Sequence, residues 1–290
     1  QNINTGISNH LATLKDFYES NFNWQGWASF QGANGKLKKE GYASADTKIN
    51  GGHFGIDRRL GNNQVGVAIS YSNGSADFNR FAGKYKSDSV GLSLYGKKYL
   101  ENNNYILSRI GITNFDTEVN RSLLAQDGSL QNGKIKHNDI MYSTYLELGK
   151  DFKYITPYAG FSLDILDRKG FDENNVSWGI TAKNKTYMHQ NIILGLRSDY
   201  KINENLKFTS HINQQINIGN RDLSFKGKFN NSSTEHTFKG INQIKNTTWI
   251  GTGIEKSFSE NFGVGINLDI RFDEFKKADS ILSTNLYYRF

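Results

Sequence analysis

The chain has 290 residues, with no cysteine, one proline, 29 glycines and a formal net charge of +7. The lack of cysteine excludes a disulfide framework and a thiolate metal site. Lysines and arginines are scattered rather than massed on one stripe, which argues against nucleic-acid binding. Mean hydropathy is −0.61, and no apolar run approaches the roughly 18 residues of a transmembrane helix.

The first 22 residues carry apolar side chains at helical spacing. This pattern predicts a short amphipathic helix, with Thr5 or Ser8 as its N-cap. A helix of about 12 residues forms a rod of about 18 Å, which is too short to span a bilayer. The apolar positions are Ile7, Leu11, Leu14 and Tyr18.

From residue 23 onward, strand-like runs are joined alternately by short and by long polar connections. Turns that are short at one end and long at the other are typical of a transmembrane β-barrel, and the roughly 12 runs give the even number that this architecture requires. We therefore predict an all-β fold, a 12-stranded antiparallel transmembrane β-barrel. The short connections lie at 61–63, 101–104, 152–154, 203–205 and 259–261, and the long ones at 33–40, 75–84, 118–137, 167–180, 221–246 and 273–279.

Residues 65–72, 208–218 and 262–273 alternate with period two between apolar and polar side chains. A soluble barrel or sandwich would bury the apolar face. The run from Phe262 to Phe272, tilted by about 40°, projects to roughly 26 Å, which matches an apolar band of about 25 Å between aromatic girdles. We therefore interpret the apolar face as the lipid-facing one.

The barrel size predicts where the helix lies. Roughly 12 tilted strands close a cylinder about 24 Å across, and inward side chains leave about 10–12 Å, the diameter of one helix. We hypothesise that residues 1–22 occupy the lumen and block it; the alternative is a surface or periplasmic amphipathic helix. The inward ionisable residues are predicted to be Asp57, Arg59, Arg109, Glu147, Asp164, Arg197, Asp199, Glu255, Asp269 and Arg271.

Catalytic motifs are not evident in the sequence. None of the six histidines is followed two positions later by serine, as a lipase-like pairing would require, and no two histidines have the i, i+4 spacing of a metal site. His137 with Asp139, and His236 beside Glu235, remain candidates for a protease site in the outer loops. We predict no catalytic residue, no metal and no cofactor.

Several segments together resemble the autotransporter β-domain of type V secretion. The similarity covers nearly the whole chain and keeps the order of the family's strands. It is carried by 51–57, 60–63, 65–71, 94–96, 195–197, 251–254 and the closing residues 288–290.

The resemblance implies a translocator whose lumen helix joins it to an upstream passenger at the cell surface. The closing run, with Leu286, Tyr288 and Phe290 on one face, looks like the signal read by the barrel assembly machinery. Some members cut the helix at an Asn-Asn bond. No such bond lies within residues 1–22, and the fifth strand begins with Tyr105 rather than an acid, so we do not expect self-cleavage.

We therefore expect a lumen or linker helix at 1–22 and an outer-membrane translocator barrel at 23–290, a monomer in contact with outer-membrane lipid. No signal peptide is visible at Gln1, so we expect the chain to be the C-terminal part of a longer protein. The alternatives are an open diffusion porin, for which 221–246 would fold inward over an empty lumen, and an outer-membrane protease or lipase.

Overall fold

The computed structural model describes residues 4–37, 44–79, 83–173, 176–240, 242–274 and 277–290. These residues form one α-helix, 16 strands and a short 3-10 turn. The elements are α1 (Thr5–Glu19), β1 (Trp24–Leu37), β2 (Ala45–Leu60), β3 (Asn63–Phe78), β4 (Gly83–Tyr99), the 3-10 turn (Glu101–Asn103), β5 (Asn104–Leu124), β6 (Leu130–Lys150), β7 (Ile155–Arg168), β8 (Phe171–Asp172), β9 (Ile180–Ala182), β10 (Lys185–Asn203), β11 (Leu206–Asn217), β12 (Phe225–Phe229), β13 (His236–Phe238), β14 (Asn246–Ser257), β15 (Phe262–Asp273) and β16 (Ala278–Arg289).

Twelve of the strands close into one antiparallel barrel, in the order β1-β16-β15-β14-β11-β10-β7-β6-β5-β4-β3-β2. The first and last strands complete the ring, with Gln25 opposite Arg289 and Asn34 opposite Ser280. Because every barrel strand pairs on both sides, the barrel has no open edge within the described residues. The predicted all-β, 12-stranded barrel is confirmed.

The alternation of side chains assigns the two faces of the barrel. Ile69 and Ile254 are 58% and 52% exposed on the outside, whereas Asp57 and Asp269 are 1% exposed on the inside. A water-soluble barrel would reverse this arrangement, since burial of apolar surface would then drive folding. The apolar face therefore looks outward, as predicted.

The five short connections all lie at one end of the barrel, which we call the short-turn rim. Leu60 pairs directly with Asn63, and Gly61 between them has φ +62°. Asn102 and Asn103 also lie in the left-handed region, at φ 57° and 60°, which asparagine tolerates better than most side chains. These turns confirm the predicted short connections.

At the opposite end, the long-loop rim, strand pairing continues into segments predicted as loops. β5 and β6 stay paired up to Leu124 and Leu130, so most of the predicted connection 118–137 is a projecting hairpin, and that prediction was wrong. Beyond the apolar band, paired strands have no lipid face and lose the apolar alternation that identifies them. Residues 38–43 and 80–82, within or next to two other predicted connections, lie outside the described residues.

The remaining four strands form a separate sheet at the long-loop rim, in the order β13-β12-β9-β8. Next to β8, the fully buried Glu173 pairs with Arg121 of β5. Arg168 lies over the rings of Phe171 and Phe225, at 5.0 and 5.3 Å. This rim sheet comes from the predicted connections 167–180 and 221–246, whose strands of two to five residues are too short for a sequence pattern.

The helix α1 lies inside the barrel. It begins at Thr5 with Asn4 as the N-cap residue, and no side chain caps it, so the predicted caps, Thr5 or Ser8, were wrong. In the part of the chain that the structure describes, no helix is long and apolar enough to cross a membrane.

Candidate functional site in the barrel lumen

The helix runs from the middle of the lumen to the short-turn rim. Near its start, the Gly6 amide donates to Oε1 of Gln31, midway along β1, at 2.7 Å. Near its end, the Tyr18 hydroxyl donates to Asn62 in a short turn, at 3.3 Å. A helix of 15 residues is about 22 Å long. The N-terminal end of α1 therefore faces the long-loop rim.

An apolar cluster holds one side of α1 against the wall formed by β1 to β5. Ile7, Leu11 and Leu14 are at most 4% exposed. Burial of these side chains and their dispersion contacts with the wall stabilise the packing of α1. The wall side of the cluster consists of Trp27, Ala68, Tyr95, Tyr105 and Leu107.

The predicted helix position Tyr18 is not part of this cluster. Its ring stacks on Tyr99 at the short-turn rim, with centroids 4.2 Å apart. The neighbouring Phe17 is fully buried instead. Phe17 lies three residues after Leu14, and Tyr18 lies four residues after Leu14. Helical spacing alone therefore permits either residue to face the cluster.

His10 links the helix to a buried carboxylate. Its Nε2 lies 2.8 Å from Oδ2 of Asp57, which also accepts from Nε2 of Gln25 at 2.9 Å. The other oxygen of Asp57 accepts from the Tyr95 hydroxyl. The His10 ring stacks on Trp27 with centroids 3.8 Å apart. The sequence pattern does not mark His10 as a helix contact, although His10 lies three residues after Ile7 on the same helical face.

Backbone carbonyls of the helix are also held by the wall. Gln64 donates to the Leu14 carbonyl at 2.8 Å. Arg59 donates through one guanidinium nitrogen to the carbonyls of Tyr18 and Ser20, at 2.9 and 2.5 Å. The last carbonyls of a helix have no partner within the helix, so a cation there satisfies them and complements the helix dipole.

Polar contacts of Asn9 and Asp16 hold the opposite side of α1. Asn9 donates to Oδ2 of Asp269 at 3.3 Å and to Ser283 at 3.0 Å. Asp16 pairs with Lys207, whose ammonium also lies 3.7 Å from Glu255. The helix is thus bonded to both sides of the lumen.

A second buried network belongs to the wall alone. Arg197 binds Glu147 with two hydrogen bonds, at 2.6 and 2.8 Å. Glu147 also accepts from the hydroxyls of Tyr105, at 2.7 Å, and Tyr145. The Arg197 guanidinium lies 3.8 Å from the ring centroid of Tyr158. Bidentate pairing and saturation of the carboxylate oxygens compensate for the desolvation of both charges.

Eight of the ten predicted inward ionisable residues fall into distinct groups. Asp57, Arg59 and Asp269 contact α1, and Glu147 pairs with Arg197. Arg271 pairs with Asp279 nearer the long-loop rim. Arg109 and Asp164 line a cavity of about 130 Å³ beside the first turn of the helix.

The predicted protease candidates are held in local contacts. Nδ1 of His137 lies 2.8 Å from Oδ1 of Asp139, which also accepts from the Lys169 amide. The His236 ring lies 5.8 Å from the ring of Phe229. Within the described residues, no three His, Asp or Glu side chains are grouped so that they could hold a metal ion.

Comparison with known proteins identifies the family. The family model described as Autotransporter beta-domain matches residues 26–269. The chain belongs to the autotransporter β-domain family. This family consists of type V secretion translocator barrels of the bacterial outer membrane and is not a class of enzymes. The short-turn rim of this autotransporter β-domain is accordingly its periplasmic end, and the long-loop rim its outer end.

Solved structures show how far the fold is shared. The autotransporter β-domain is similar to the translocator domain of NalP from Neisseria meningitidis, with a TM-score of 0.79 and 14% identity over 98% of this chain and 94% of that one. The β-domain of the Bordetella autotransporter BrkA follows with a TM-score of 0.63 and 11% identity, over 92% and 100%. The toluene transporter TbuX of Ralstonia pickettii also has a TM-score of 0.63, with 8% identity over 94% and 90%. No curated protein sequence matches the chain.

Proposed function

We propose that this barrel delivers an upstream passenger to the cell surface, anchors it there and remains plugged by α1. The observation that carries the proposal is the direction of the helix. Its C-terminal end enters β1 at the periplasmic rim, and its N-terminal end is held at Gln31, in the middle of the lumen. A segment attached before Asn4 would leave the barrel through the outer rim.

The contacts of α1 support a plug that stays in place. The side chains of His10 and Asp57 are 5% and 0% exposed, and the contacts of Asn9 and Lys207 hold the helix from the other side. A helix that is about 10–12 Å wide with its side chains fills most of such a lumen. An open diffusion porin is less well supported, because its lumen would have to stay empty.

We also propose partners for the barrel itself. It is a monomer surrounded by outer-membrane lipid, and its closing residues Leu286, Tyr288 and Phe290 are the signal for the barrel assembly machinery. Tyr288 and Phe290 are 54% and 55% exposed on the outside, so they are accessible to such a partner until lipid covers them.

Surface display tests the proposed delivery. An epitope placed before Gln1, behind a signal peptide, should be removed by protease added to intact cells. The same epitope inserted at Lys153, in a periplasmic turn, is the matched control and should be protected until the outer membrane is opened. Protection of the upstream epitope in a correctly folded barrel would contradict the proposal.

A further inference from the structure

Five aromatic side chains form a row on the outside of the barrel, across its closing seam at the periplasmic rim. Three neighbouring pairs in the row have ring centroids 5.8–6.4 Å apart. The fourth pair, Phe262 of β15 and Tyr288 of β16, lie directly opposite each other in the strand pairing. The row, which we call the seam row, consists in order of Trp24, Phe290, Tyr288, Phe262 and Phe258.

Each end of the seam row carries a cation. The Arg58 guanidinium carbon lies 5.0 Å from the ring centroid of Trp24, and the Lys256 ammonium lies 5.4 Å from that of Phe258. The two cations lie on β2 and β14, which are separated by four strand intervals, or about 19 Å. Among the residues that the structure describes, the ion pairs include neither of them.

The arrangement has the chemistry of a lipid headgroup site. Aromatic side chains favour the boundary between hydrocarbon and headgroups, and the ring faces hold the two cations at that depth by cation–π attraction. A guanidinium or ammonium group above a ring keeps N–H donors that can bind phosphate oxygens. The acids adjacent to the two cations in sequence, Asp57 and Glu255, face the lumen, where they contact His10 and Lys207. Glu260 is exposed in the turn after Phe258.

We propose that the seam row, with Arg58 and Lys256, binds the headgroups of anionic phospholipids in the periplasmic leaflet of the outer membrane. The rings contact the glycerol and upper acyl region, and the two cations bind lipid phosphates. The bound lipids thus lie over the junction of β1 and β16, where Trp24 and Phe290 exchange two backbone hydrogen bonds of 3.0 Å. Lipid binding at the seam row requires no passenger and is independent of the proposed delivery.

A lipid-selectivity measurement tests the site. The whole chain is refolded in phosphatidylcholine vesicles that contain spin-labelled phosphatidylglycerol, and its association is compared with that of spin-labelled phosphatidylcholine. We expect the wild-type protein to prefer phosphatidylglycerol. Each of Arg58→Gln and Lys256→Gln should lower the preference, by up to about fivefold, which corresponds to about 1 kcal/mol per cation near an anionic surface.

The matched control removes two outward cations from the other rim. Lys48 and Lys86 are exposed and lie away from the seam row, so the pair Lys48→Gln and Lys86→Gln should keep the wild-type preference. Circular dichroism would establish that all variants keep the same strand content. The proposal is overturned if the wild-type protein has no preference, if the seam variants retain it in full, or if the control pair lowers it as much as they do.

Discussion

The imidazole of His10 lies 2.8 Å from the carboxylate of Asp57, and both side chains are almost fully buried. This contact joins the lumen helix to β2. Because Asp57 also accepts from Gln25 and Tyr95, its position is fixed by the wall, and His10 is the movable partner.

Removal of this contact should loosen the plug. A hydrogen bond to a charged group contributes about 1.5–3 kcal/mol, so His10→Ala should raise the population of the undocked helix by about ten- to a hundredfold. In planar bilayers this should appear as more frequent channel openings. The control, His236→Ala, changes an exposed residue of the rim sheet and should leave the openings unchanged. If the two variants behave alike, the contact does not hold the helix.

Gly6 should be needed for close approach of the helix to the wall. A Cβ atom at this position would lie 2.8 Å from Oγ of Ser29 and 3.0 Å from Nε2 of His53, which is too close for a stable contact. Gly6→Val should therefore lower the hydrogen-exchange protection of amides in the first half of α1. Ser8→Val, on an exposed position of the same turn, should preserve it. Equal protection in both variants would contradict the packing argument.

The pair of Arg197 and Glu147 should stabilise the barrel mainly through mutual neutralisation. Arg197→Met leaves the buried carboxylate without its cation and should lower the free energy of unfolding by about 3 kcal/mol or more. Adding Glu147→Gln should restore part of the lost free energy of unfolding, because it removes the buried carboxylate charge that has no cation beside it. Urea unfolding in lipid vesicles of both single variants and the double variant measures the coupling. Strictly additive effects would show that the pair is not coupled.

The ion pair of Arg121 and Glu173 should anchor the rim sheet. Nε of Arg121 donates to Oε1 of Glu173 at 2.8 Å, and Nη2 donates to Oε2. Arg121→Ala should speed proteolytic cleavage between β8 and β10. Lys134→Ala, which breaks an exposed pair with Glu118, should leave the cleavage rate unchanged, since exposed pairs contribute little. An equal cleavage rate in Arg121→Ala and the wild-type protein would exclude this anchor.

The closing aromatic residue should be required for assembly. Phe290→Ser should lower the fraction of the protein that is inserted in the outer membrane of cells, measured as folded protein in the membrane fraction. Phe258→Ser, in a turn at one end of the seam row, removes the same chemical group and should have a smaller effect. Normal insertion of Phe290→Ser would refute the proposed signal.

The barrel can be predicted well from the sequence, because contact with lipid requires the alternation of apolar side chains that identifies each strand. Each strand has to present apolar side chains to lipid at every second position, and the short turns leave only a few residues between such runs. Ile266 and Leu268 alternate outward with inward Asn267 and Asp269, so both strand and face can be read directly from the sequence.

The lumen is harder to predict, because its contacts join residues far apart in the chain. His10 is a polar residue in an otherwise apolar stripe, and only the fold brings it to Asp57. The choice between Phe17 and Tyr18 depends on which wall residues face the last turn of the helix, where Tyr18 stacks on Tyr99. The rim sheet was missed for a related reason, because β9 and β12 pair across more than 40 intervening residues.

Single-channel conductance of the chain with and without its helix is the most direct test of a barrel that encloses a plugged lumen. In planar bilayers the whole chain should be closed most of the time. A variant that lacks residues 1–20 should fold with the same strand content and show a steady, larger conductance. An identical conductance for the two proteins would contradict the account.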